Sequence, residues 1–156
     1  MKKFTIIISF LFLTVSLSAQ SANIVTDILN SEKMTIGQAC YLSAVYQNLI
    51  DDTATEEQAI SALYNDGQLP DVFYENDAIP LVNLSFIFTK MMNVRGGMMY
   101  RITKGSPRYA FKQLKADGIL KINDDPSRIM TGTEALSLFT SCYMKYSEEP
   151  VFNEEM

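Results

Sequence analysis

The sequence predicts an all-α fold built from three helix–loop–helix repeats. Residues 59–69 resemble residues 110–120 at an offset of 51, with alanine, leucine, Asp-Gly and a final leucine at the same places. Apolar residues recur at three- and four-residue steps, and capping residues and glycines bound these stretches. Residues 35–49 represent a third copy. Each copy has too little apolar surface to fold alone, so we expect all three to share one core.

The first nineteen residues have the layout of a secretory signal peptide. A basic start precedes an uncharged apolar run from Phe4 to Ser18, and small residues lead to a cleavage site after Ala19. The run is short for a bilayer span, which needs about 20 residues. We therefore expect a signal peptide at 1–19, a helical domain at 20–146 and an acidic flexible tail at 147–156.

The first copy begins the folded chain. A weak apolar cluster predicts a short helix within Gln20–Ser31. A stronger pattern predicts a second helix over Thr35–Leu49. Thr35 and Gln38 have the spacing of a capping box, in which each side chain bonds the other residue's backbone N–H.

The second copy is a helix, a loop and a helix. The first helix is predicted over Glu56–Asp66, with Thr55 as its N-cap and Gly67 at its end. The second helix is predicted over Pro80–Met92, because proline is accepted in a first helical turn.

The third copy follows a short spacer. Alternating residues over Met98–Thr103 predict an extended segment. Helices are then predicted over Arg108–Asp117 and Thr131–Tyr146. Thr131 and Glu134 form a second capping box.

Charge is unevenly distributed along the chain. A chain cleaved after Ala19 has 11 basic and 18 acidic residues, which weighs against a nucleic-acid partner. Eight acids and no base fall in 51–77, whereas eight bases and one acid fall in 90–121. These are either solvated faces that attract each other or a basic surface for an anionic envelope polymer or acidic protein. In the second case Arg95, Arg101 and Arg108 are the candidate ligands; in the first they pair with the acids.

Two cysteines lie outside the signal peptide, Cys40 and Cys142. Each is on the apolar stripe of a predicted helix, so a disulfide and two buried thiols are equally compatible with the sequence. Histidine, the commonest general base and metal ligand, is absent. We predict no metal and no cofactor.

The adjacent carboxylates predict no enzyme. The pairs at 51–52, 56–57 and 124–125 lie at turns and helix starts, where capping explains them. A glycosidase instead needs two carboxylates several ångströms apart in a cleft. The methionines at 91, 92, 98 and 99 either fill the core or form an adaptable surface for a partner protein.

The repeats resemble the S-layer homology (SLH) domain over roughly residues 34–146. That family has a helix ending near Gly-Ile, a loop, and a second helix opening with a Thr-Arg-Ala-Glu type motif. Gly118-Ile119 matches the first feature, and Thr131–Ala135 matches the threonine and glutamate of the motif. Thr35–Ala39 matches the threonine and approximates the glutamate, while residues 80–83 match neither.

The resemblance implies a pseudo-threefold helical bundle that holds anionic cell-wall polysaccharide. The motif arginine is a main ligand contact in the family. In this chain Ile36, Leu81 and Gly132 stand at its place. Thr35, Gln38, Thr131 and Glu134 are therefore interpreted as helix caps rather than ligand contacts.

The expected function is non-catalytic. We expect an exported protein of the periplasm or cell surface that associates with an envelope polymer such as peptidoglycan or wall polysaccharide. The alternative is a periplasmic protein–protein adaptor for an outer-membrane assembly, acting through its methionines.

Overall fold

The computed structural model describes residues 24–69 and 74–147, where its regular structure is helical. Helix α1 covers residues 24–30. The others are α2 (Ile36–Tyr46), α3 (Glu56–Asn65), α4 (Leu81–Met91), α5 (Met98–Ile102), α6 (Pro107–Ala116) and α7 (Gly132–Ser147). Within these ranges, β pairing is limited to two isolated bridges, Thr35 with Ala78 and Pro80 with Ile129. The predicted all-α class is confirmed.

Two predicted segments cannot be compared with the structure. The signal peptide at 1–19 and the tail beyond Ser147 lie outside the described residues. A search of the described residues for a bilayer-spanning helix finds none.

Helices α2 and α4 form the centre of the domain. Eight of the eleven residues in each are buried, and Leu81, Leu84 and Phe88 of α4 have no exposed surface. Helix α2 packs mainly against α3, and α4 packs mainly against α6. Helices apolar around most of their circumference need neighbours on several sides, which explains this central position.

Helices α2, α4 and α7 are joined through their first residues. Each donates its first backbone N–H to a carbonyl in the loop before another helix of the three. The pairs are Ile36 with Asp77 (2.8 Å), Leu81 with Arg128 (2.8 Å) and Gly132 with Ser31 (2.9 Å). The three loops are thereby linked in a closed cycle.

Buried residues in the same loops lie just before the helices. Met34 donates its N–H to Met130 (2.8 Å), and Ile79 donates to Met34 (2.9 Å). All three side chains are buried. Buried backbone groups need hydrogen-bond partners, and these cross-loop bonds supply them.

The spacing between equivalent helices changes along the chain. Helix α4 begins 45 residues after α2, whereas α7 begins 51 residues after α4. The same offset of 51 relates the start of α6 to that of α3. The six additional residues therefore lie between α4 and α6.

The extended segment predicted for Met98–Thr103 is wrong, because these residues form α5 and its C-cap. Alternation over six residues is too short a pattern to separate a strand from one turn of helix. Only Tyr100 of α5 is buried. Pro80, predicted in the first turn of α4, is instead its N-cap.

Candidate functional site

A cleft of about 680 Å³ lies where α4, α5 and the turn before α6 meet. Its lining residues come from the end of α4 and from the connection that follows. They are Thr89, Lys90, Asn93, Val94, Arg95, Gly96, Tyr100, Arg101, Lys104 and Gly105. This is the stretch that contains the six additional residues.

The cleft is strongly cationic. Lys90, Arg95, Arg101 and Lys104 contribute four positive charges, and none of the lining residues is acidic. In the described part of the chain, the ion pairs are both made by Arg128, with Asp124 at 3.6 Å and with Glu134. The positive charge of the cleft is therefore not neutralised by a salt bridge, which leaves it available to an anion.

Tyr100 lies on the inner wall of the cleft between two glycines. A Cβ on Gly96 would lie 2.5 Å from the Tyr100 ring, and one on Gly105 would lie 2.7 Å from its hydroxyl. Both glycines also have positive φ, 47° and 68°. Any other residue here would combine backbone strain with a clash against the ring.

Burial raises the pKa of Tyr100, and a hydrogen bond with Thr89 opposes part of that rise. The phenol is therefore neutral and can donate a hydrogen bond at neutral pH.

A lysine bridges one end of the cleft. The Lys90 ammonium donates to the Lys104 carbonyl at 2.8 Å and lies 5.7 Å from the centre of the Phe86 ring. Lys104 has a φ of 53°, an uncommon value for a residue with a side chain. The bond from Lys90 stabilises this turn, so part of the ammonium's hydrogen-bonding capacity is structural.

A polar chain behind α5 holds it against α6 and α7. The Gly97 N–H donates to Gln113 Oε1 (2.8 Å), and Gln113 Nε2 donates to both Asp117 oxygens (3.0 and 2.9 Å). The Tyr146 hydroxyl also donates to Asp117, at 2.5 Å. Burial, and then this carboxylate, raise the pKa of Tyr146. These bonds fix the middle of the connection between α4 and α6 to the packed helices.

The structure separates the three predicted arginines. Arg95 and Arg101 line the cleft, whereas Arg108 is exposed near the start of α6 and does not. None of the three pairs with a described acid of residues 51–77. The cleft is completed by Lys90 and Lys104, which the sequence analysis did not select. Both belong to the run of bases in 90–121, so that run was the signal that could have identified them.

The residues that were compared with the SLH motif have structural roles. Thr35 and Gln38 bond each other's backbone at 3.2 Å in both directions, and Thr131 and Glu134 do so at 3.2 and 3.0 Å. Both predicted capping boxes are therefore present, and a further one joins Thr55 to the Gln58 side chain.

The positions of the motif arginine are buried. Ile36 and Leu81 belong to the core. Gly132 lies against α1, where a Cβ would overlap the Ile28 carbonyl oxygen. A side chain reaching a ligand does not fit at this third position, because the backbone of α1 occupies the space.

Both cysteines are buried free thiols. Burial raises the pKa of Cys40 and of Cys142 to about 12. Of the two alternatives that the sequence left open, the structure has the thiols. Burial therefore disfavours the thiolate, which is the nucleophilic form, at both positions.

The methionines divide between core and surface. Met91 is buried and Met92 is half-buried, whereas Met98 and Met99 of α5 are exposed. The core reading is confirmed for Met91, and Met98 and Met99 lie at the surface, where partner binding stays a prediction.

Among the described residues no group of acids, cysteines or histidines has the arrangement of a metal site. Asp124 and Asp125 bond backbone N–H groups of their own turn, at Lys121 and Ser127 (both 2.8 Å). The best candidate for a binding site among the described residues is therefore the cationic cleft, because its four cations can bind an anion.

The chain was compared with protein-family models, with curated proteins and with solved structures. None of the three comparisons finds a match.

Proposed function

We propose that this chain is an exported, non-catalytic cell-envelope protein that binds an anionic envelope polymer, such as peptidoglycan or wall polysaccharide, through the cationic cleft. The observation that supports this proposal is a cleft of about 680 Å³ with four cations and no acid. Arginine suits such a ligand because its planar guanidinium can bond a carboxylate or phosphate with two N–H groups.

The charge of the rest of the molecule favours one binding region. The whole chain has a net charge of −5, and Lys2 and Lys3 are part of the predicted signal peptide. An anionic polymer is therefore repelled by most of the surface and attracted at the cleft. Binding through this region should weaken steeply as salt is added, because exposed charges are screened.

We propose that the fold consists of three SLH-like repeats in a pseudo-threefold bundle. Two observations support this arrangement: the 51-residue repeat in the sequence, and the cycle of N–H bonds from Ile36, Leu81 and Gly132. The residues at the motif-arginine positions are buried, so in this proposal the polymer binds instead at the connection between α4 and α6. In this proposal the fold resembles the family, and the ligand site is new.

The test is a pull-down with purified sacculi at several salt concentrations. Arg95→Gln/Arg101→Gln/Lys104→Gln should lower the affinity about tenfold or more, since each exposed charge contributes up to about 1 kcal/mol. Arg108→Gln/Lys112→Gln/Lys121→Gln removes the same charge outside the cleft and is the matched control. Equal losses in the two variants would show that binding depends on net charge and not on the cleft. No binding by the wild type would reject the proposal.

The alternative is a periplasmic protein–protein adaptor for an outer-membrane assembly. Met98 and Met99, exposed by 74% and 47%, favour it, because flexible methionines suit binding surfaces. Photo-crosslinking in cells from position 99 tests it. A specific protein adduct that disappears with Met98→Gln would support the adaptor, and adducts only with polymer would exclude it.

A further inference from the structure

Helix α5 exposes an apolar face next to the cleft. Met98, Met99 and Ile102 are exposed by 74%, 47% and 66%, whereas Tyr100 is exposed by only 7%. Successive helical residues are rotated by about 100°, which places the three exposed side chains together and Tyr100 on the opposite side. We call Met98, Met99 and Ile102 the α5 apolar face.

One cation, Arg101, lies directly beside this face. Arg101 is the helix position between Tyr100 and the α5 apolar face, and it lines the cleft together with Arg95 and Lys104. No lining residue there is acidic. An apolar face bordered by long basic side chains is the pattern of a protein segment that lies in a membrane interface.

The α5 apolar face projects rather than forming a groove. Two of its three side chains expose about two thirds or more of their surface, so no pocket of this chain surrounds them. A partner that covers them therefore has to enclose them. The acyl boundary of a bilayer does so without a preformed cavity, while its anionic headgroups meet the cations.

We infer that α5 docks on an anionic lipid bilayer, with the α5 apolar face inserted at the headgroup boundary and Arg95, Arg101 and Lys104 against lipid phosphates. This inference rests on the proposed function in placing the chain in the envelope. It shares Arg95, Arg101 and Lys104 with that proposal, and the α5 apolar face is the part that only the membrane requires.

Vesicle sedimentation tests the inference with the protein as cells export it, its N terminus determined by mass spectrometry. Vesicles of phosphatidylethanolamine and phosphatidylglycerol (3:1) are compared with vesicles of phosphatidylcholine. Met98→Gln/Met99→Gln/Ile102→Gln should lower binding to the anionic vesicles about tenfold or more, since it removes the three apolar side chains that enter the bilayer. Every variant has the same N terminus, so whichever of residues 1–23 are retained contribute equally to vesicle binding in all of them.

The matched control removes apolar surface elsewhere. Ile122 and Met144 are exposed by 90% and 63%, and Ile122→Gln/Met144→Gln should bind anionic vesicles like the wild type. Unchanged binding by the α5 triple variant, or an equal loss in the control, would overturn the inference. Circular dichroism verifies that each variant is folded.

A fluorescence readout is independent of affinity. The chain has no tryptophan, so Ile102→Trp introduces a single indole reporter. Its emission should shift to the blue with anionic vesicles, whereas that of Ile122→Trp should not. No shift at position 102 would contradict insertion.

Sacculus binding by the same variants separates the two proposals. The α5 triple variant should keep it, because the cations of the cleft remain. If this variant lost sacculus binding and kept vesicle binding, the α5 apolar face would contact polymer, and the inference would be wrong. If crosslinking from position 102 gave only protein adducts, the face would be a protein interface.

Discussion

The connection from α2 to α3 and the connection from α4 to α6 begin alike and then diverge. The second residue of each is an asparagine of positive φ, Asn48 at 56° and Asn93 at 49°. In both, the next N–H closes the helix end, from Leu49 to Ala44 (2.9 Å) and from Val94 to Thr89 (3.0 Å). This is the 6→1 bond of a Schellman-type ending.

The remainder of the two connections differs. Nine residues, 47–55, lead from α2 to a capping box on α3, whereas fifteen, 92–106, lead from α4 to α6. The longer connection contains α5 and eight of the ten residues that line the cleft. The packed helices thus act as a scaffold, and one enlarged connection carries the candidate site, as is common where binding residues lie on loops.

The largest effect is expected from exchanging the connections. Replacing residues 92–106 with the nine-residue sequence of 47–55 should remove both sacculus and anionic-vesicle binding. The domain should still unfold cooperatively but lose about 3 kcal/mol, because the buried Tyr100 is removed. Thermal unfolding and both binding assays measure this. Retained binding would disprove the role of the cleft, and a non-cooperative transition would show that the connections are not equivalent.

An effect on stability alone is expected from a methyl group at Gly105. Gly105→Ala should cost about 3 kcal/mol of unfolding free energy, because it adds left-handed strain to a clash with Tyr100. Gly118→Ala is the control: its φ is 75°, but a Cβ there meets nothing within 4 Å. It should cost about 1 kcal/mol. Urea denaturation measures both, and equal losses would contradict the packing of Tyr100 between glycines.

The shared start of the connections should respond equally to glycine. Asn48→Gly and Asn93→Gly should each raise the unfolding free energy by up to about 1 kcal/mol, since glycine accepts positive φ without strain. Chemical denaturation of the two variants checks the prediction. Opposite signs would show that the two helix ends are held by different forces.

The smallest effect concerns the carboxyl at the first residue of α3, which has no counterpart at the start of α6. Glu56 begins α3, and the equivalent residue of α6 is Pro107. Burial, then Glu75 and Asp27, raise the pKa of Glu56 above 4.5. The folded state therefore holds this proton more tightly than the unfolded state, and stability increases as the pH falls from neutral through the raised pKa.

Glu56→Gln should consequently be more stable than the wild type at pH 7, by less than about 1 kcal/mol because the side chain is half-exposed. The difference should shrink toward pH 4.5. Urea denaturation at several pH values measures it. A variant less stable than the wild type at pH 7 would show that the charge at the start of α3 is favourable.

Local features of the fold could be predicted from the sequence. The capping boxes at Thr35 and Thr131 depend on bonds between residues three positions apart, and Gly67 and Gly118 end α3 and α6 with φ of 73° and 75°. Such signals lie within one helical turn, so the sequence contains all of their parts.

The cleft could be predicted only in part. Arg95 and Arg101 follow from the run of positive charge, but Arg108 is equivalent to them in sequence and lies outside the cleft. Lys90 reaches the Lys104 carbonyl across fourteen positions, and Tyr100 depends on glycines before and after α5. These contacts depend on how α5 folds back on α4, and a six-residue alternation does not reveal that.

The cyclic joining of the loops has a consequence for the order of assembly. Ser31 and Leu29 accept hydrogen bonds from Gly132 and Thr133, more than one hundred positions later. A ribosome synthesises the amino end first, so α1 forms these bonds only after the start of α7 has been made. A chain shortened before α7 leaves these acceptors open, so correct closure of the domain depends on the synthesis of α7.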